Sequence, residues 1–94
     1  MKNKKIYAAR MGLAKIANAD LPLPALSALA PLLDACDPVI AKCLQLEGEG
    51  DSYFEDETEL PDAVIPMLPE LRMSYLDFRA LREIATIEGR NDNA

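Results

Sequence analysis

The residues that could do chemistry in this chain are carboxylates, arginines and two thiols, because the sequence contains no histidine. Histidine is the commonest general base near neutral pH and the commonest zinc ligand in proteins. Two cysteines alone do not complete a structural zinc site, and no phosphate-binding glycine loop or nucleophile motif occurs. The sequence therefore predicts a protein that is not an enzyme and that uses no cofactor and no metal.

One group of side chains has the chemistry to bind an anion. Arg72 and Ser74 stand at the start of a predicted helix, and Arg79 and Arg82 lie three residues apart within it. Because unpaired backbone N–H groups and the helix dipole favour negative charge at a helix start, this set predicts a site for a small anion such as a nucleotide. The favoured alternative is that these arginines pair with nearby carboxylates, as surface arginines usually do.

The carboxylates are concentrated in residues 47–71, which carry nine acids and no base, whereas residues 1–20 sum to +4. Gly48 and Gly50 break helical structure, so residues 47–60 are predicted to form an acidic loop. Its start resembles the first part of a calcium loop without the glycine at the sixth position, which leaves divalent-ion binding open and favours a solvated loop. The two charged regions could pair within the chain or between copies.

A short aromatic and acidic run inside this loop is the predicted surface for a partner. Its aromatic pair is expected to be buried somewhere, since the residues around it are charged. Carboxylates on a surface could also imitate nucleic-acid phosphates and occupy a basic groove of another protein. The net charge of −6 disfavours direct binding to nucleic acid. The predicted interaction surface comprises Tyr53, Phe54, Glu55, Asp56 and Glu57.

Apolar spacing predicts an all-α fold, a small bundle of three to four helices in a single domain over residues 1–94. Residues 1–3 and 90–94 are expected to be frayed. The first amphipathic helix is predicted from Lys4 to Asn18, and a short helical turn is predicted from Asp62 to Leu68.

The last helix is predicted over residues 75–86, where Ser74 provides a capping start and Gly89 a stop. Its buried stripe is predicted to be Tyr75, Phe78, Leu81 and Ala85.

The segment from Pro24 to Leu46 carries apolar residues in alternating steps of three and four, the pattern of a coiled-coil seam. Pro31 and Pro38 fall opposite this seam, so we expect a proline-kinked central helix; the alternative is a set of shorter helices. The cysteines lie seven residues apart, about 10 Å on one helix, which exceeds disulfide reach and predicts reduced core thiols. The seam, predicted to join copies in a homo-oligomer, is Leu26, Leu29, Leu33, Cys36, Ile40 and Cys43.

Hydropathy predicts no membrane partner, because no apolar run approaches the roughly 20 residues needed to cross a bilayer. The start of the chain is basic but lacks the uninterrupted apolar stretch of a secretion signal. A cytoplasmic protein is therefore expected.

Four stretches resemble small α-helical accessory proteins of bacteriophages and prophages, in which a Leu-Pro start leads into a long helix, an acidic stretch follows, and a closing segment ends the pattern. The resemblance implies a virus-encoded protein that acts in the host cytoplasm, where it binds a host factor or assists virion assembly. The stretches are Leu21-Pro22-Leu23 through Leu46, Glu59-Leu60-Pro61, Leu68-Pro69-Glu70-Leu71, and Met73-Ser74-Tyr75-Leu76-Asp77-Phe78-Arg79-Ala80-Leu81.

These patterns together predict a non-enzymatic, phage-type binding protein, acting as a homo-oligomer. It would antagonise a host process, such as host defence, by sequestering a host protein or a small anionic or nucleotide signalling ligand. Three alternatives remain: a virion assembly chaperone or minor structural protein, an acidic mimic of nucleic acid, and, third in order, a metal-dependent enzyme.

Overall fold

Four helices account for most of the chain in a computed structural model that describes residues 1–66, 68 and 70–88. The molecule is mostly helical, as predicted, but it also contains a single turn of 3-10 helix and two short strands. In chain order the elements are α1 (Asn3–Ala8), α2 (Arg10–Ala17), α3 (Leu23–Leu46), the 3-10 turn (Ser52–Glu55), β1 (Val64–Ile65), α4 (Tyr75–Ile84) and β2 (Thr86–Ile87).

The helix predicted from Lys4 to Asn18 is divided in two at Ala9. Ala9 has φ −86° and ψ 1°, and its N–H donates to the Ile6 carbonyl at 3.1 Å, which tightens the chain into a turn there. Both parts remain amphipathic: Ile6, Ala9, Leu13 and Ile16 are all buried in the core. The spacing of apolar residues thus identified the correct inward face but not the break between the two helices.

The central helix α3 runs without interruption from Leu23 to Leu46, with Pro31 and Pro38 inside it. The alternative of several shorter helices is therefore wrong. Both proline side chains are exposed, so they lie on the side of α3 that faces away from the core.

The buried stripe of α3 differs from the predicted seam. Leu26 is 39% exposed, and Leu33 and Ile40 are only half-buried. Two neighbouring apolar lines run along the helix, and the line that is buried within one chain is the one next to Leu33 and Ile40. The buried residues are Leu29, Leu32, Cys36, Val39 and Cys43.

The region from Asp62 to Leu68, predicted as a helical turn, instead contains strand β1. β1 pairs in parallel with β2, with Val64 opposite Thr86 and Ile65 opposite Ile87. The Thr86 N–H donates to the Ala63 carbonyl at 3.1 Å. Pro66 disfavours helical geometry at the residue before it, and two consecutive β-branched residues favour extended backbone.

Helix α4 begins as predicted, with the Ser74 hydroxyl accepting a hydrogen bond from the Asp77 N–H at 3.1 Å. It ends at Ile84, two residues before the predicted end, because Ala85 is extended and leads into β2. Leu81 and Ile84 are buried, whereas Tyr75, predicted to be buried, is 63% exposed. Gly89 and residues 90–94, for which a helix stop and fraying were predicted, lie outside the described residues.

Helices α2 and α4 cross closely at Gly12. A Cβ atom at this position would lie 3.3 Å from the Asp77 carbonyl oxygen and 3.6 Å from the Leu81 side chain. A residue without a side chain therefore lets the start of α4 approach α2, and this contact fixes where the exposed residues of α4 stand.

Both cysteines are free thiols buried in the core, in agreement with the prediction. Cys36 is 1% exposed and Cys43 is 0% exposed. Burial raises the pKa of the Cys36 thiol to about 11, with a smaller contribution from the charge of Asp37, and burial also raises the pKa of Cys43. Because both thiols stay protonated near neutral pH, they behave as small apolar core residues.

Helix α3 corrects the expectation that no segment is long and apolar enough to cross a membrane. It has 24 residues and a mean hydropathy of 1.4 over its most apolar 18-residue window, 22% of which is buried within the molecule. The core helix of a soluble protein meets the same criteria of length and composition. The helix is thus compatible with either environment on these two criteria.

Candidate functional site

The exposed side of α4 presents two large apolar residues next to arginines. Tyr75 is 63% exposed and Leu76 is 64% exposed, both in the first turn of the helix. The Arg79 guanidinium lies 6.0 Å from the centre of the Tyr75 ring, and its carbon skeleton extends along the same face. Such neighbouring aromatic, leucine and arginine side chains are typical of protein contact surfaces.

We call this surface the α4 face. It is defined by two exposed apolar side chains and two exposed arginines of the helix, together with the exposed Arg72, which precedes the helix by three residues: Arg72, Tyr75, Leu76, Arg79 and Arg82.

The three arginines of the α4 face do not form ion pairs with the part of the chain that the structure describes. Over residues 1–66, 68 and 70–88, no carboxylate oxygen lies within 4.0 Å of their side-chain nitrogens. Arg82 instead stands over the Phe78 ring, 5.2 Å from its centre. The predicted pairing with nearby acids is therefore not formed as an ion pair among the described residues, although the charges of Arg79 and Arg82 still help to lower the pKa of Glu83.

Glu83, the carboxylate closest in sequence to Arg82, is bound by a lysine from another helix. The Lys5 Nζ lies 2.7 Å from the Glu83 Oε2. This hydrogen bond is the main cause that lowers the pKa of Glu83, with smaller contributions from Arg79 and Arg82. Lys5 thus occupies the acid that the arginines would otherwise hold.

The predicted anion site is only partly assembled at the start of α4. Ser74 uses its hydroxyl oxygen to cap the helix, and Asp77 places a negative charge in the first turn. Both features compete with a bound anion for the positive end of the helix dipole. Arg79 and Arg82 stand one and two turns along the helix, each against an aromatic ring of its own.

A shallow depression of about 400 Å³ lies between α1 and α4, beside the α4 face. Its charged residues are two cations and two carboxylates, so it has no excess charge to select a small anion. It is open on one side, as expected of a contact surface. The lining residues are Lys5, Ala8, Leu76, Asp77, Arg79, Ala80 and Glu83.

The second feature is the segment of residues 51–58, here called the strap, which lies across the start of α1. Asn3, 1% exposed, is its anchor. The Asn3 Nδ2 donates to the Tyr53 carbonyl at 2.9 Å, its backbone N–H donates to the Asp56 carbonyl at 2.9 Å, and its Oδ1 accepts from the Thr58 hydroxyl at 2.5 Å. Residues 1–3, expected to be frayed, are thus hydrogen-bonded to the strap.

Ion pairs on the outside of the strap join the acidic and basic regions of the chain. Glu55 binds Lys2 at 3.0 Å and Lys4 at 2.9 Å. The hydrogen bonds to Lys4 and Lys2, in that order, lower the pKa of Glu55. The prediction that the two charged regions pair within the chain is confirmed at these residues.

The aromatic pair of the strap points into the molecule, as expected. Tyr53 and Phe54 are half-buried and pack against the core. Phe54 meets Tyr7 edge to face, with 6.0 Å between ring centres and 71° between ring planes. The Tyr7 hydroxyl donates to Glu47, and this bond is the main cause that raises the pKa of Tyr7.

The predicted interaction surface is therefore engaged within the chain to a large extent. Tyr53 and Phe54 pack inward, Glu55 is paired with lysines, and the Asp56 carbonyl accepts from Asn3. Glu57 forms a single antiparallel bridge with Lys2. The Glu57 carboxylate also lies 3.5 Å from the Met1 amino group, so Asp56 is the acid of this set that has no ion pair among the described residues.

Three of the predicted seam residues are also used within the chain. Leu29, Cys36 and Cys43 are at most 1% exposed, so they contribute to the core of one molecule. A seam that joins copies through them would require that core to open. The exposed apolar residues of α3 are instead Leu23, Leu26 and Leu44.

No metal site is evident in the part of the chain that the structure describes. Among those residues, no three or more cysteines, aspartates or glutamates are grouped so that they could hold an ion. The carboxylates of Glu47 and Glu55 have partners of their own in Tyr7 and in two lysines.

Sequence reasoning did not predict the hydrogen-bonding role of Asn3 or the exposure of Tyr75, which lies beside the exposed Leu76. An asparagine near the start of the chain gives no signal by itself, because its three partners lie 50 or more residues away. The exposure of Tyr75 follows from where α2 crosses α4, which the helical period alone does not specify.

Comparison with known proteins finds no matching family model, no matching curated protein and no matching solved structure. Function is therefore inferred from this chain's own residues and contacts. The resemblance to phage accessory proteins stays a prediction, which depends on the residues at which the predicted helices start and end.

Proposed function

We propose that this chain is a non-catalytic binding protein that sequesters an acidic protein partner through the α4 face. The observation that carries the proposal is the set of three exposed arginines without ion pairs in the described residues, next to exposed Tyr75 and Leu76. In a chain with 16 acids and 10 bases, arginines have abundant possible partners. Arginines that remain unpaired beside apolar residues favour a partner outside the chain.

The chemistry of the partner follows from the chemistry of the α4 face. Unpaired guanidinium groups bind carboxylates in a bidentate manner, and exposed tyrosine and leucine supply apolar area that is worth burying. An acidic surface with an apolar centre would satisfy both. The other basic region, at the start of the chain, already has Glu55 and Glu83 bound to its lysines, so fewer free cations remain there for an acidic partner.

A protein partner is supported better than a nucleotide. The depression beside the α4 face is open and carries equal numbers of cations and carboxylates, whereas small-ligand sites enclose most of the ligand. The nucleotide version of the proposal needs a second copy of the chain to complete the site. A solution mass of one chain, 10.3 kDa, at micromolar concentration would end that version and leave binding of a protein partner intact.

The resemblance to phage accessory proteins suggests what binding through the α4 face would do in a cell. We infer that the chain acts in the host cytoplasm and antagonises a host process by keeping its partner occupied. The acidic mimic of nucleic acid has less support, because Glu55 and the backbone of residues 56–58 are already engaged by α1. The role of assembly chaperone differs only in the partner, which would then be a viral subunit.

The test is affinity capture from cells that naturally contain the protein, with wild type compared to a Tyr75→Ala, Leu76→Ala double variant. We expect one discrete acidic partner with wild type and at least a tenfold loss of its capture with the variant, since hot-spot residues contribute about 2 kcal/mol or more each. The captured amount should fall as salt rises from about 0.1 M to about 1 M, where screening shortens the Debye length from about 10 Å to about 3 Å.

The matched control is Leu23→Ala with Leu44→Ala, which removes two apolar side chains that are 75% and 62% exposed on α3. It should capture the same partner as wild type. Equal loss in both double variants would mean that nonspecific apolar contact is responsible, and the proposal would be abandoned.

A further inference from the structure

Asn3 makes more hydrogen bonds to the strap than any other described residue does. Asn3 provides a backbone donor, a side-chain donor and a side-chain acceptor to three different strap residues, namely Tyr53, Asp56 and Thr58. The additional bond from the Thr58 N–H to the Met1 carbonyl, at 2.9 Å, lies next to this anchor. Loss of the buried Asn3 amide would therefore remove the two side-chain hydrogen bonds to the Tyr53 carbonyl and the Thr58 hydroxyl, and would leave the backbone bonds and the outer ion pairs in place.

The strap is also connected to the fold in a way that allows movement. Before it, Gly48 and Gly50 adopt φ values of 86° and 65°, and nothing lies within 4 Å of where their Cβ atoms would be. Most strap residues are exposed, and its ion pairs with lysines are on the outside. Segments with few buried contacts open more readily than the core does.

Beneath the strap lies the end of α3. The Lys42 Nζ stands 5.6 Å from the centre of the Tyr53 ring, and Cys43, the next residue, is fully buried. Burial raises the pKa of Tyr53, and the nearby thiol of Cys43 adds to the rise. Cys36 lies two turns earlier on α3, about 10 Å away along the helix axis, deeper beneath α1.

We propose that the strap is a lid that opens independently of the rest of the fold: when closed it places Tyr53 over Lys42, next to Cys43, and occupies Lys2 and Lys4. Opening would release the lysine pair and turn Tyr53 and Phe54 outward together. The strap thus acts as an intramolecular competitor for any anionic group that approaches the start of α1. This inference does not depend on the α4 face or on its partner.

The two cysteines allow opening of the strap to be measured within one native chain. A pulse of iodoacetamide under native conditions labels a thiol only while it is exposed, and trypsin cleavage after Lys42 then places Cys36 and Cys43 on separate peptides for mass spectrometry. We expect Cys43 to be labelled at least about tenfold faster than Cys36, because local opening is more frequent than global unfolding. Equal rates at both thiols would overturn the proposal.

Two variants test whether the strap is what opens. Asn3→Ala removes the anchor and should raise the labelling rate of Cys43 about tenfold or more relative to that of Cys36. Thr58→Val keeps the shape of the side chain, removes one hydroxyl and should raise the same ratio by a smaller factor. Because the result is a ratio, a general loss of stability that accelerates both thiols equally does not count in favour of the lid.

The outer ion pairs provide a milder test with a matched control. Glu55→Gln should raise the ratio by up to about fivefold, as expected for exposed pairs. Glu49→Gln removes the same charge from the turn before the strap, where the described residues contain no ion pair, and should leave the ratio unchanged. If Asn3→Ala and Glu55→Gln both leave the ratio at its wild-type value, Cys43 is reached by another route and the strap is not a lid.

Discussion

Asn3 joins segments of the chain that are 50 residues apart, and it does so while almost completely buried. Buried amide groups in proteins are almost always hydrogen-bonded, and here the Nδ2 and Oδ1 atoms of Asn3 each have a partner. The same bonds bring the acidic strap against the basic start of the chain. At the scale of single residues, polar contacts between distant segments thus organise one end of the molecule.

Ser74 has a local counterpart to this role at the start of α4. Ser74→Ala should lower the free energy of unfolding by about 1 kcal/mol, because the Asp77 N–H loses its acceptor. Urea denaturation followed by circular dichroism measures the change. Ser27→Ala replaces an exposed serine that is the fifth residue of α3 and does not cap it; this control should leave stability the same or slightly higher. An equal effect at both positions would contradict a capping role.

Which single residues could be predicted depends on the range of their contacts. The capping role of Ser74 could be predicted, since its partner is three residues away in the sequence. Asn3 could not be, because nothing near it indicates pairing with residues 53–58. The arginines of the α4 face were recognised by type, but their freedom from nearby acids depends on Lys5 binding Glu83 across two helices.

At the scale of elements, α3 shows how far periodicity carries. Its apolar spacing predicted a helical segment from Pro24 to Leu46 despite Pro31 and Pro38, and the structure has one helix there, Leu23–Leu46. It did not specify which of two neighbouring apolar lines faces inward, since that choice depends on where α1 lies. The two strands were not predicted, for a related reason. Pro66 favours extended backbone in β1, but the strand that pairs with β1 is more than 20 residues away in the sequence.

The effect of the prolines on the shape of α3 stays a prediction. Proline inside a helix costs about 3 kcal/mol relative to alanine, so Pro31→Ala with Pro38→Ala should stabilise a helix whose shape does not matter. We expect the double variant to gain less than about 3 kcal/mol in total, because a straighter α3 would fit α1 less well. Urea denaturation gives the free energy. A larger gain with unchanged helix content would show that the prolines have no shaping role.

The strap predicts a pH dependence with a definite sign. The pKa of Glu55 is lowered by Lys4 and Lys2, so the stabilisation by this carboxylate is fully present above its ordinary pKa and is lost as pH falls through the lowered value. Lys4→Gln should raise the pKa of Glu55 toward its ordinary range, as measured by carboxyl-detected NMR titration.

Lys15→Gln is the matched control for this titration, because it removes the same charge from α2, away from the strap. It should leave the titration of Glu55 where wild type has it. A Glu55 pKa that responds equally to both substitutions would mean that the overall charge of the chain, rather than the ion pair, is responsible.

At the scale of the whole molecule, the charges of Glu55 and Glu57 in the strap are paired within the chain, whereas the arginines of the α4 face are not paired among the described residues. The acidic strap meets the lysines of α1, whereas the arginines of the α4 face have no such partners among the described residues. The fold class and the helical content could be predicted from composition and spacing. The lack of ion pairs at the arginines of the α4 face could not be predicted in this way, because it depends on which helices cross.

The most direct test of the α4 face is photo-crosslinking in cells that naturally contain the protein. A photoreactive amino acid replaces Leu76, which is 64% exposed on the α4 face, or Leu44, which is 62% exposed at the end of α3. We predict a discrete crosslinked product with one acidic protein from position 76 and none from position 44. The absence of a product at position 76, or the same products at both positions, would contradict binding through the α4 face.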